Sequence, residues 1–178
     1  MKIPTKIQNH LQKNNVDHEL VDHRKTFTGY DTSQTLGAKA ATVVKGLLIK
    51  ADQEIHLVLL QADKMLDLKK LAKLLKAKKI TILKEKEMMK VLKLKKPGAL
   101  HSFGSLYKFP LVVDSGLAKL KEALFPSDSF NHHLKLKVKD FLGLEEPKAT
   151  GLFSVVKKFK TPKAKKATIK KATAKKKK

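Results

Sequence analysis

The sequence predicts a mixed α/β fold in a single domain: a barrel-like mixed β-sheet surrounded by helices, with strands and helices alternating irregularly. Three observations lead there. Two apolar runs, Val43–Ala51 and Ile55–Gln61, flank the polar triplet Asp52–Gln53–Glu54 and read as a hairpin. From His133 to Lys139, Leu134, Leu136 and Val138 alternate with lysines, the period of a strand with one face in water. Two other segments place aliphatic residues at helical spacing: Ile3, Ile7 and Leu11, then Leu68, Leu71, Leu74 and Leu75.

Taken in order, Ile3–Asn14 reads as an amphipathic helix with Pro4 near its start and Asn14–Asn15 as its stop. Val16–Val21 reads as a short strand. A polar passage from His23 to Thr35 ends in a helical turn, Thr32–Leu36, closed by Gly37. After the hairpin, Asp67 is placed to cap the Leu68–Leu75 helix, whose opposite face carries lysines. Lys79–Leu83 is a strand candidate and Glu85–Leu92 a helix. The pattern then breaks at Lys95–Lys96–Pro97–Gly98 into a loop, and Leu111–Asp114 returns as a strand.

At 178 residues the chain has room for one ordinary domain. It carries 40 Lys+Arg against 16 Asp+Glu, a net charge of +24, and half of that comes from the 12 lysines between Val155 and Lys178. Composition therefore divides the chain into a folded body, residues 1–146, and a Lys/Ala/Thr-rich tail, residues 147–178, too poor in apolar residues to order itself. The absence of cysteine excludes disulfide scaffolds, zinc ribbons and thiol nucleophiles. No apolar signal segment opens the chain, and its longest aliphatic run, Leu57–Leu60, is far too short to span a bilayer. The expectation is a soluble, cytoplasmic protein with no membrane partner.

The charge excess points to a polyanion, and the choice of base matters. Arg24 is the sole arginine. Lysine is a hydrated point charge that attracts phosphates, whereas the arginine fork reads guanine edges, so attraction without direct duplex readout is expected.

Three features could carry chemistry. If Val43–Ile49 is a strand, Lys45 shares a face with Val43, Leu47 and Ile49, where its ammonium is costly to desolvate. It either meets an anion in a pocket or snorkels to solvent at the strand's edge. The loop at residues 97–107 sets Gly98 and Gly104 around His101–Ser102, letting backbone amides approach a ligand. In Phe130–Asn131–His132–His133, neighbouring strand residues face opposite ways, so one histidine at most looks into a given pocket. No HExxH, GxSxG, Walker or GxGxxG pattern is present, so no metal and no cofactor are expected.

The order of these features resembles the YbaK-like aminoacyl-tRNA deacylases, including the editing insertion domain of bacterial prolyl-tRNA synthetases. The resemblance runs over roughly residues 3–144. It rests on His23 followed by Phe27–Thr28, on Lys45 within VVKGLLIK, and on Leu66–Ala72 with Ala77–Lys79. Pro97–Gly98 through Phe103–Gly104, Val112–Asp114, Phe130–Asn131 and Asp140–Leu142 complete it. It implies a barrel-like sheet with outer helices and a metal-independent trans-editing enzyme that hydrolyses the ester of mischarged tRNA, with a synthetase as a further partner. It assigns Lys45 and the loop at Gly98 to catalysis. Phe27, Thr28, Gly46, His101, Ser102, Phe103, Gly104, Asn131 and His133 are assigned to substrate binding. Two positions depart from the family pattern: Ser102 stands where the loop usually has proline, and Gly46 where alanine-specific relatives have asparagine. The rival expectation is a basic nucleic-acid-binding or regulatory protein whose deacylase-like pocket is inactive.

Overall fold

The computed structural model describes residues 3–95 and 98–156. Helix α1, Thr5–Lys13, starts behind Pro4 and buries Ile7 and Leu11, one turn apart on a single face. Strand β1, His18–Asp22, leads to helix α2, Gly29–Leu36, which is longer than the predicted turn because the Thr28 hydroxyl caps it, accepting from the Asp31 amide. Gly37 closes α2 with φ 61°, a left-handed conformation natural to glycine. The hairpin forms as predicted: β2, Val44–Ala51, pairs antiparallel with β3, Glu54–Gln61.

A short β4, Lys64–Leu66, enters α3, Leu68–Leu75, and Asp67 caps it by accepting from the amides of Lys69 and Lys70. Strand β5, Ile80–Ile82, and helix α4, Glu85–Val91, fall where predicted. Beyond the loop come α5, Gly104–Tyr107, β6, Leu111–Asp114, α6, Ser115–Ala118, and β7, Glu122–Pro126. Of these, only β6 has a clear sequence signal. Strand β8, His132–Lys137, stops before Lys139 because Val138 opens α7, Val138–Glu145. Val138 is buried there as it would be in a strand, so the alternation runs unbroken across the change of structure.

The strands form a mixed five-stranded sheet, β5-β2-β3-β6, closed at its far edge by β9, Ala149–Gly151. Pairing is antiparallel around β2 and parallel from β3 through β6 to β9. A second, antiparallel sheet has the order β1-β8-β7, and β4 pairs with β10, Ser154–Val156. The fold class is as expected, but the sheets do not close into a barrel. They remain separate ladders that meet at a Val43–Leu124 bridge, with β5 and β9 at opposite edges of the large one.

Strands β2 and β3 are apolar on both faces and are covered on both. One face sends Val44, Leu48, Leu57 and Leu59 into a core with Ile7, Leu11, Phe125, Leu134, Leu136 and Phe141. The other packs Ile49, Val58 and Leu60 against Leu71, Val112 and Phe153.

That second core corrects the boundary drawn from composition. Residues 149–156 are not tail: they form β9 and β10, and Phe153 is fully buried between them. Two backbone bonds pin it. Its amide donates to Asp114 Oδ2 at 3.1 Å, and its carbonyl accepts from the Asp67 amide at 2.8 Å. The remaining lysines of the expected tail, residues 157–178, lie outside the described residues. Truncation after Val156 is expected to leave stability unchanged, whereas Phe153→Ala should cost about 3–5 kcal/mol by emptying a buried aromatic site. Denaturant unfolding measures both. A loss below about 1 kcal/mol for Phe153→Ala would show that this segment is peripheral.

Candidate functional site

A cleft of about 210 Å³ opens beside the Val44–Gly46 end of β2. One wall is the segment Thr26–Gly29 with Thr32 of α2. The other is formed by Gly98–Leu100, Pro126, Ser129, Phe130 and His133. Local bonds shape the first wall: Thr26 and Thr32 share a buried hydroxyl–hydroxyl bond of 2.8 Å, and Thr28 caps α2. Backbone bonds from the amides of His23 and Thr26 to the carbonyls of Asn131 and Phe130, both 2.8 Å, tie it to the second wall. The cleft's width is therefore set by backbone pairing, not by flexible side chains.

Its rim is aromatic. Phe27 is 69% exposed, and its ring lies 5.3 Å from that of Phe130. Lys25 Nζ stands 5.0 Å and 5.7 Å from the two ring centres, within cation–π range. Its inner end is polar: His133, only 6% exposed, receives or donates a 2.8 Å bond between its Nδ1 and His23 Nε2. Gly46 forms part of the floor. A Cβ there would meet Leu59 at 3.4 Å and Leu57 at 3.5 Å, ordinary contacts, so the position is packed against the core yet would take a small side chain.

Of the residues singled out by sequence, Phe27, Thr28, Gly46, Gly98 and His133 come together here. The others do not line this cleft. Lys45 lies on the opposite face of β2 from Val44 and Gly46, and its ammonium donates to the Lys64 carbonyl. His101 faces a hollow between α1 and α4, stacked on Tyr107 at 3.7 Å, and its Nδ1 accepts from the Phe103 amide. Ser102 is buried against the Pro126 carbonyl, Phe103 is a core residue, and Gly104 opens α5 where a Cβ would strike the Phe109 carbonyl. Asn131 contributes its backbone to the wall-to-wall pairing. These residues build the loop's foundation. Phe130, the first residue of the Phe130–His133 segment, lines the cleft as well; Thr26, Thr32 and Ser129 are cleft residues that sequence spacing gave no reason to select, the proximity of Thr26 to Phe27–Thr28 being the one available signal.

Among the described residues no cluster of three His, Cys, Asp or Glu could hold a metal. One group away from the cleft has the residue types of a hydrolytic triad. Ser105, His10 and Glu145 are mutually bonded, but Ser105 Oγ (2.7 Å) and His10 Nε2 (2.8 Å) both contact Glu145 Oε1. A nucleophile would donate to the histidine, with the carboxylate on the ring's other side. This arrangement instead locks α1 to α5 and α7.

Burial pushes His133 and His101 down to about 4, reinforced by His23 and His132 beside the first and by Lys6 and His10 beside the second. In the unfolded chain both return to about 6.5. Between those values the unfolded state binds more protons, so stability is complete above about pH 6.5 and is lost as pH falls toward 4. The loss is up to about 1.4 kcal/mol per histidine per pH unit. Denaturant unfolding between about pH 7 and pH 5 should show this slope, and His133→Asn should reduce it. An unaltered slope in the variant would mean that His133 is not held neutral.

The comparisons with known proteins bear on the fold and the family. Residues 23–144 match the model of the aminoacyl-tRNA editing domain family. Among solved structures, a hypothetical protein superposes with TM-score 0.75 at 16% identity, covering 84% of this chain and 99% of its own. A candidate trans-editing enzyme for prolyl-tRNA synthetase gives TM-score 0.69 at 19% identity, with 84% and 95% covered. A candidate signal transduction protein from Marinobacter aquaeolei gives 0.67 at 20% identity, but only 31% of that longer chain is covered. No curated protein matches the sequence significantly. Identities this low show a shared fold; the family match, spanning both walls of the cleft, shows more, and the chain belongs to the aminoacyl-tRNA editing domain family.

Proposed function

We propose that the protein is a free-standing trans-editing deacylase that hydrolyses the ester between a mischarged amino acid and tRNA. The observation that carries this reading is the cleft's division into an exposed aromatic rim and a small polar end. A cleft of about 210 Å³ is below the usual range for a complete drug-sized ligand but suits an aminoacyl group. The rim of Phe27 and Phe130, with Lys25 above it, is suited to an unstacked base and its phosphate, which gain roughly 1–3 kcal/mol per stacked base. The trans-editing form is supported by the likeness to a candidate trans-editing enzyme for prolyl-tRNA synthetase.

In this reading the 3′-terminal nucleotide rests on the rim and the ester reaches the cleft. Backbone amides of the loop from Gly98 stabilise the developing oxyanion while a water attacks the carbonyl. The acyl C–O bond then breaks, the ribose oxygen leaves as a hydroxyl, and the amino acid is released as its carboxylate. Thr28 and His133 contact the acyl group, which lies over the backbone of Gly46 on the cleft floor. His101, Ser102, Phe103, Gly104 and Asn131 act through the loop's position. Lys45, outside the cleft, exchanges the Lys64 carbonyl for a phosphate of the bound tRNA. Lys79 and Lys90, which line a separate groove, and the lysines of residues 157–178 hold the RNA by counterion release.

The engagement of Lys45 with a carbonyl outside the cleft favours one second reading: a nucleic-acid-binding or regulatory protein whose cleft does not turn over. A deacylation screen over Ser-, Ala-, Cys- and Pro-type mischarged tRNAs separates the two, because a binder saturates stoichiometrically while an enzyme turns over. Lys45→Ala should lower kcat/KM by about tenfold to a hundredfold, the worth of one charged hydrogen bond. Lys50→Ala, on an exposed position of the same strand, should change it little. Equal losses in single-turnover assays would remove Lys45 from the mechanism. Truncation after Val156 should raise KM and flatten its salt dependence with kcat nearly unchanged. An unaltered salt slope would sink the role of the terminal lysines.

A further inference from the structure

We propose that His23 is a positioning residue that holds His133 in a single tautomer, so that His133 presents an unprotonated Nε2 to the cleft as a hydrogen-bond acceptor for the ammonium of the aminoacyl group. The identity of that ligand rests on the deacylase reading. The tautomer rests on geometry.

The argument starts at a group that can only accept. The Arg24 carbonyl lies 2.7 Å from His23 Nδ1, so this nitrogen carries a hydrogen. Neutral His23 then has its lone pair on Nε2, which lies 2.8 Å from Nδ1 of His133. Two lone pairs do not face each other at that distance, so His133 Nδ1 must be the donor. A neutral imidazole has one hydrogen, and His133 has used it. Its Nε2 is therefore an acceptor, and it makes no hydrogen bond among the described residues. Burial keeps the ring neutral, well below the usual histidine range.

The frame that holds the pair is rigid. Strands β1 and β8 are paired up to Asp22 opposite His132 and Val21 opposite His133. The next residue, His23, is fixed by its amide bond to the Asn131 carbonyl. The rings meet at 4.9 Å between centres with a 45° tilt. The carbonyl–histidine–histidine chain thus does for His133 what a carbonyl or carboxylate does for many functional histidines: it selects which nitrogen bears the proton. The selection matters because the opposite tautomer would point an N–H at a cation. With so depressed a basicity, His133 is suited to hold a donor in place and poorly suited to remove a proton.

The test is nitrogen-15 NMR of the full chain at about pH 8, where histidines are neutral, reading the protonated nitrogen of His133 from its ring couplings. Wild type should show Nδ1–H alone, His23→Ala a mixture of tautomers, and His23→Gln, whose amide oxygen can accept, a return toward Nδ1–H. A wild-type His133 protonated at Nε2, or an unchanged tautomer in His23→Ala, would overturn the proposal. For the ligand, alanyl-tRNA is compared with lactyl-tRNA, which replaces the ammonium by a hydroxyl. His23→Ala should raise KM for the alanyl ester about tenfold and leave the lactyl ester within about twofold. Equal losses on both would overturn the ammonium assignment. Absence of turnover on either ester in wild type would overturn the deacylase reading and with it the ligand, while the NMR result decides the tautomer independently.

Discussion

Burial of both faces of the β2–β3 ladder is the constraint from which the rest of this molecule follows. A hairpin apolar on both sides cannot be covered by one layer. One face takes α1, α7 and the β1-β8-β7 sheet; the other takes α3 and Phe153. Polar groups caught between these layers must be satisfied locally, since an unpaired buried group costs roughly 1–3 kcal/mol. Asp114, fully buried, meets the requirement with both oxygens, accepting from the amides of Gly116 and Phe153. Lys45 meets it by donating to the Lys64 carbonyl. Since β4 pairs with β10, with Lys64 opposite Val156, the segment that closes the second core also fixes the acceptor of that lysine.

The cleft occupies the seam where the two larger sheets meet, beside the end of β2. Its chemistry is sparse: threonines, a pair of histidines and glycine-lined walls, with no metal cluster among the described residues. A site so composed can act on a bound group through backbone and side-chain dipoles held in place by the fold. The Ser105–His10–Glu145 group, of which only Glu145 is buried, by contrast has reactive residue types but spends them on one another. Residue identity did not distinguish the two; which atoms meet did, since Ser105 Oγ and His10 Nε2 share Glu145 Oε1.

Regular elements were legible wherever a periodic apolar pattern met a chemical stop. Asp67 before Leu68 gave α3, and Asp52–Glu54 between two aliphatic runs gave the hairpin. Legibility failed where the pattern serves two structures. Val138 completes a strand-like alternation yet starts a helix, and the three-residue strands β4, β9 and β10 are too short to show any period. In the candidate site, Phe27, Thr28, Gly46, Gly98 and His133 are legible in the sequence and lie together. Ser102, Phe103 and Gly104 were identified from the same loop and do not join them, because that loop turns inward to supply the core.

By itself the sequence determined the composition of the body, the hairpin, the capped helices and the resemblance that leads to the editing family, because each depends on near neighbours in the chain. Tertiary structure alone decided that residues 149–156 belong to the fold and that Lys45 turns away from the cleft. It also decided that His23, 110 residues from His133, sets that ring's hydrogen bond. These outcomes depend on which carbonyl or ring nitrogen lies within hydrogen-bonding distance once both faces of the central sheet are closed, and sequence spacing carries no measure of such distances.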